Sequence, residues 1–276
     1  MKTLALVSLA AIAAAFTASA ASAATEVQLK DMAARVVVQP ENRSDVELKV
    51  VYGAAKVPVI MVHTDGDTFI ADGKLNHHDL NCKDGGATYI GDLGTVAQAD
   101  LPIVYIKVPM DAKVDAGGAT YGTLGKSNSL EFSEGGCGKW TLDDVAGKAE
   151  VNIGGSGDVS SGHMGDAEIN IGGSGNFTGG SASALNANIG GNGDILMASV
   201  NGDAEVNIGG SGNVKVEDGQ ASSLQVNIAG SGDVRFGGTA KDLEVNIVGS
   251  GDVRVKAVTG NVSKTIMGSG TVIVGQ

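Results

Sequence analysis

One phrase governs what this chain can fold into. Val151-Asn152-Ile153-Gly154-Gly155-Ser156-Gly157-Asp158-Val159 returns with asparagine at 170, 188, 207, 227 and 246, and with Thr265 in the same slot. Two degenerate copies precede it, centred on Asp115 and Ser133, and the nine slots lie 18 to 20 residues apart. Self-similarity at that period marks a solenoid, whose units bury their apolar faces only by stacking on one another.

The columns of the repeat say what each position does. One residue after the slot stands isoleucine in all seven clear copies, from Ile153 to Ile266. Three residues before it stand Ala149, Ala167, Leu185, Ala204, Leu224, Leu243 and Val262; seven after it stand Val159, Phe177, Ile195, Val214, Val234, Val253 and Val272. Apolar positions at −3, −1 and +1 alternate with polar ones at −2 and 0, the period-two signature of a half-buried strand. Glycines at +3 and +5 never vary, as expected of a sharp turn where a β-carbon would clash or φ must be positive. Each copy therefore reads as strand, glycine turn, strand and variable link, with hydrogen-bond partners supplied by the neighbouring copy.

That pattern predicts an all-β parallel β-helix of about nine coils, a rod roughly 43 Å long at strand spacing. A left-handed helix keeps a strict hexapeptide beat, which the drift in repeat length breaks, so the expected hand is right. An antiparallel sandwich would show hairpin-paired strands in place of identical ones. Composition agrees, since 36 of the 43 glycines fall in residues 114–276 and such a chain is no helical bundle. In the last copy the −1 position becomes Lys264, a charge tolerable where a coil forms the open end of the stack. Residues 24–113 are expected to form an N-terminal β cap that hides the edge of the 114–276 β-helix. Within it, Val57 to Met61 and Thr68 to Ile70 flank an Asp65-Gly66 hairpin signal, and Leu101 to Val108 reads as a strand.

Residues 1–23 carry a positive start, a short alanine- and leucine-rich run and Ala21-Ser22-Ala23, the pattern of a secretory signal peptide cleaved after Ala23. Its loss removes Lys2 and no acid, taking the net charge from −12 to −13. A later apolar run long enough for a transmembrane helix is not found. The expected product is exported, periplasmic or released to the cell surface. Its acidity argues against nucleic acid as a partner. Cys82 and Cys137, the only two cysteines, are then expected to pair in an oxidising compartment. A metal site of Cys82 with His77 and His78 would lack a second thiolate at close spacing.

Several columns could carry chemistry. Stacked Asn152, Asn170, Asn188, Asn207, Asn227 and Asn246 suit an amide ladder that locks register, and less well a flat face for sugars. The +6 column holds Asp158, Asn176, Asp194, Asn213, Asp233 and Asp252. One acid per coil, directly after the glycine, fits calcium repeats poorly, and these side chains are expected to bond their own turn. Glu150, Glu168, Glu205 and Glu244 share the −2 column. Lys215, Arg235 and Arg254 at +8 form an outward line of cations that could grip an anionic ligand, or simply keep the rod soluble. No cofactor, metal or catalytic constellation is indicated. The repeated serine sits in a turn and not a nucleophile elbow, and the four histidines show no ligand spacing. A polysaccharide-cleaving β-helix would need acids inside a cleft, and coils differing by only two residues imply none.

The Asn-Ile-x-Gly-Ser-Gly-Asp/Asn-Val phrase resembles the head GIN domain of autotransporter adhesins (DUF2807). It fits at 152–159, 170–177, 188–195, 207–214, 227–234 and 246–253, and partly at 265–272. The resemblance extends to Pro-Met-Asp-Ala-Lys-Val at 109–114 and to the Gly136-Cys137-Gly138 turn. It implies an exported β-helical module and carries no catalytic residues. The function expected is non-enzymatic adhesion or scaffolding in the cell envelope, with an envelope, surface or glycan partner and a possible end-to-end oligomer. The alternative is a glycan-binding or polysaccharide-processing β-helix.

Overall fold

The computed structural model describes residues 15–19 (backbone only), 25–83 and 86–275. Residues 1–14 and 20–24, with the expected cleavage point after Ala23, lie outside the described residues.

Alternation in the repeat becomes a stack of parallel strands in strict register. Asn152 lies opposite Asn170, and the column continues through Asn188, Asn207, Asn227 and Asn246 to Thr265. On the second strand of each coil the corresponding column runs Trp140, Val159, Phe177, Ile195, Val214, Val234, Val253 and Val272. The apolar columns fill one continuous core from Val27 to Val255. Long strands such as Phe177–Ile189 and Val234–Gly249 turn a corner and serve two sides of the coil. The 20-residue step between Asn207 and Asn227 is absorbed by a register shift between Val216 and Gln220, so the columns stay aligned on either side of it.

Close approach, more than dihedral strain, explains the glycine turns. A β-carbon on Gly193 would collide with the carbonyl oxygen of Gly175 in the turn below. Side-chain volumes in the core are matched in the same way. A β-carbon on Gly179 would press on Met197 of the next coil and on Phe177 of its own.

Parallel stacking extends back past Val114. Glu26–Lys30 lies parallel to Asp111–Ala116, and Ala33–Glu41 parallel to Ala119–Leu124. Beyond them lie Thr68–Asp72 and Ile103–Pro109, also parallel. The layer from residues 26–41 thus sits between layers that follow it in sequence. Antiparallel strands finish this end: Glu47–Val51 on Ile103–Pro109, Ala15–Ser19 on Glu47–Val51, and Met61–Asp65 on Thr68–Asp72. The last of these is the hairpin signalled by Asp65-Gly66, with Gly66 at φ +58°.

Between Thr68–Asp72 and Ile103–Pro109 the chain leaves the stack. Part of this excursion is an arm of three antiparallel strands, Leu80–Cys82, Ala87–Ile90 and Gly94–Ala97. The arm has its own small core, Ile90, Leu101 and Tyr121 against Ala33 and Ala119. The Cys82–Cys137 disulfide joins it to the solenoid, with Cα atoms 5.9 Å apart.

Candidate functional site: polar columns and a tethered cleft

Each asparagine of the ladder donates its amide to the carbonyl of the one below, at 2.9, 2.8, 3.0, 2.9 and 3.0 Å from Asn170 up to Asn246. The second amide hydrogen is also engaged in several coils, donating to Glu205 from Asn207 at 3.0 Å and to Asn186 from Asn188 at 2.9 Å. Little hydrogen-bonding capacity is left for a sugar.

The +6 column behaves differently from the expectation. Its side chains do not close their own turns; they accept backbone N–H groups of the coil above. Asn176 Oδ1 accepts from Asp194 N at 3.0 Å, Asp194 from Asn213 N at 2.8 Å, and Asp233 from Asp252 N at 2.7 Å. The turns stack so closely that the next coil's N–H is the nearer donor. Asp252 also accepts from the Thr271 hydroxyl, and that bond holds its carboxyl below the usual range.

Lysines on the first-strand face tie adjacent layers together. Lys113 lies 3.3 Å from Glu26 and 3.1 Å from Glu131, and Lys148 lies 3.2 Å from Glu150 and 2.8 Å from Glu168. On the second strand of each coil Lys215, Arg235 and Arg254 stand directly above one another. Lys215 pairs with Glu217 at 2.6 Å and Arg254 with Asp252 at 3.0 Å, while Arg235 has no ion-pair partner among the described residues.

The sequence offered no sign of a cleft, because even coils leave no room for one. The fold builds one from the arm instead. A cavity of about 640 Å³ lies between the arm and the solenoid wall. The arm contributes Lys83 and Gln98, and the wall Thr123, Lys139, Thr141 and Asp158. The disulfide lies against it, and the arm is held by Tyr121, whose hydroxyl meets Thr88 at 3.2 Å and the Ala87 carbonyl at 3.3 Å. Arg35 adds bonds to the Ala99 and Leu101 carbonyls at 3.1 and 3.3 Å. His77 and His78 form an exposed one-turn 3-10 helix capped by Asn76.

Behind this wall lies a residue that periodicity alone passed over. Glu134 stands in the isoleucine column, opposite Ala116 and Ile153, and is 1% exposed. Its carboxyl accepts from Gly136 N at 3.0 Å and Gly157 N at 3.2 Å. Burial pushes it up to about 7 against the pull of those two donors. The signal was present in the sequence, as an acid in a column otherwise apolar.

Residues 188–276 match the family model described as "Putative auto-transporter adhesin, head GIN domain". A solved "putative adhesin" from Parabacteroides distasonis is 17% identical over 95% of this chain and 98% of its own, with a TM-score of 0.50, a likeness of fold. A "putative lipid binding protein" from the same species is 18% identical over 94% and 96%, with a TM-score of 0.49. A "putative adhesin" from Bacteroides fragilis is 13% identical over 95% and 97%, with a TM-score of 0.44. No curated protein matches the chain in sequence. The repeat, its parallel register and the family match agree, and residues 188–276 are similar to the head GIN domain of that adhesin family.

Proposed function

We propose that the chain acts outside the cytoplasm as a non-catalytic, adhesin-like surface module of the cell envelope. One observation carries the reading: the repeating polar columns bond chiefly to one another, which makes a stiff scaffold and leaves no convergent group of catalytic side chains along the repeat. The Cys82–Cys137 disulfide, the leader pattern at 1–23 and the family match support export and surface work. The test is cell fractionation with N-terminal sequencing, followed by capture of envelope fragments on purified, oxidised protein. Recovery in the periplasm or at the surface, with capture and no depolymerisation of acidic or neutral polysaccharides, is the expected result. Saturable turnover would reverse the reading.

A second reading, glycan binding, is favoured by the Lys215–Arg235–Arg254 line, where the Arg235 guanidinium stands without an acid among the described residues. Arg235→Ala with Arg254→Ala would then weaken retention on an acidic polysaccharide column. Unchanged retention would remove that face from consideration.

A further inference from the structure

We infer that the cleft between the tethered arm and the solenoid wall binds a uronic-acid unit of an acidic saccharide. This rests on the reading of the chain as a non-catalytic surface-binding module, and gives that reading a place and a ligand class.

Shape comes first. At about 640 Å³ the cleft is within the range of small-ligand sites. It also has two walls of different origin, and the arm that makes one of them adds nothing to the repeating ladders. The disulfide and the Tyr121 and Arg35 bonds hold those walls in place, so a ligand meets a site already formed.

Chemistry then narrows the ligand. Lys139 and Asp158 face out from neighbouring coils in one column, yet no ion pair joins them. That contrasts with Lys113 and Lys148, each of which is neutralised by glutamates from two layers. Lys83 and Lys139 thus both line one cavity on a chain of net charge −12, and neither has an ion-pair partner among the described residues. Thr123, Thr141, Gln98 and Asp158 line the same cavity; Asp158 Oδ1 also accepts from the Asn176 amide at 3.0 Å, and Thr141 from the Ser160 hydroxyl at 3.3 Å. Ammonium groups suit a carboxylate, and a carboxylate with an amide suits adjacent hydroxyls. A sugar ring bearing a carboxyl group offers both together. An apolar ligand would strand these groups without partners.

The test is calorimetric titration of the full, oxidised chain with digalacturonate, a neutral galactose disaccharide and inorganic phosphate. Digalacturonate should bind, with the neutral sugar about tenfold weaker and phosphate weaker still. Lys139→Ala and Lys139→Gln should each lower affinity about tenfold, as expected for loss of one charge-assisted contact. Lys241→Ala, at an exposed position outside the cleft lining, should leave affinity unchanged. Cys82→Ser with Cys137→Ser should abolish binding while the β-rich circular dichroism of the solenoid persists. Full affinity in both Lys139 variants, or phosphate binding as well as digalacturonate, would overturn the inference. Capture of envelope fragments without any binding of digalacturonate would sink the inference and leave the surface-module reading standing; loss of capture as well would remove both.

Discussion

Glu134 shows how one side chain can differ from its column and still be accommodated. Where other coils place isoleucine against the glycine of the next turn, this coil places a carboxyl that accepts two backbone N–H groups. Its folded-state value of about 7 lies above the ordinary 4.5, so between those values the folded chain holds more protons than the unfolded one. The contribution to stability is full below about 4.5, falls as pH rises, and is gone above about 7. The loss amounts to about 3 kcal/mol at 1.36 kcal/mol per unit. Melting temperature should therefore fall from pH 5 to pH 8 in the parent, and much less in Glu134→Gln. Identical pH profiles would show that the carboxyl titrates normally. Asn207 tests the ladder at the same scale. Alanine there strands the Asn188 carbonyl and the Asn227 amide, and should destabilise by about 1–2 kcal/mol in thermal melts. Asn152→Ala, at the bottom of the ladder with only Asn170 above it, should cost less.

Among the elements, the arm is the one whose attachment can be switched. Its core is small, and the Cys82–Cys137 bond closes a loop with a sequence separation of 55. By the chain-entropy argument such a bond contributes about 4 kcal/mol. Reduction should release the arm and leave the repeat intact, because the coils find their partners in one another and not in the arm. Limited proteolysis after reduction should cut within residues 75–100 first, with circular dichroism little changed. Simultaneous loss of both would mean that the arm and the coils fold as one cooperative unit. The strands of the repeat were legible because a fixed offset in sequence names each partner. The arm was not, since its three strands share no period with anything else, and cysteine arithmetic names the bond without saying what surrounds it.

For the whole molecule the decisive surface is the last coil. Among the described residues Val262–Gly268 is paired on one side, with Leu243 to Gly249, and Val262, Ile266 and Met267 are 48%, 37% and 62% exposed. Such an edge invites a second chain. Lys264 stands in the column of the fully buried Val245, and an inward-pointing charge on an edge strand opposes pairing. Sedimentation of the 276-residue chain should show a monomer across a wide concentration range. Lys264→Val should give a concentration-dependent dimer. A parent that already dimerises end to end would show that the lysine is no barrier.

The amino-acid sequence by itself determined the solenoid: its coil length, its stacked columns, its glycine turns, its cysteine pair and the charged residue on its last strand. The cysteine pair follows from there being only two thiols; the rest follows from a repeat, which places like beside like at a constant offset and so specifies long-range contacts locally. Only the tertiary structure decided that residues 26–41 form a layer between later ones, and that the +6 side chains bond upward instead of within their turns. It alone made a cleft, because a cavity between an arm and a wall depends on packing among residues that no period relates.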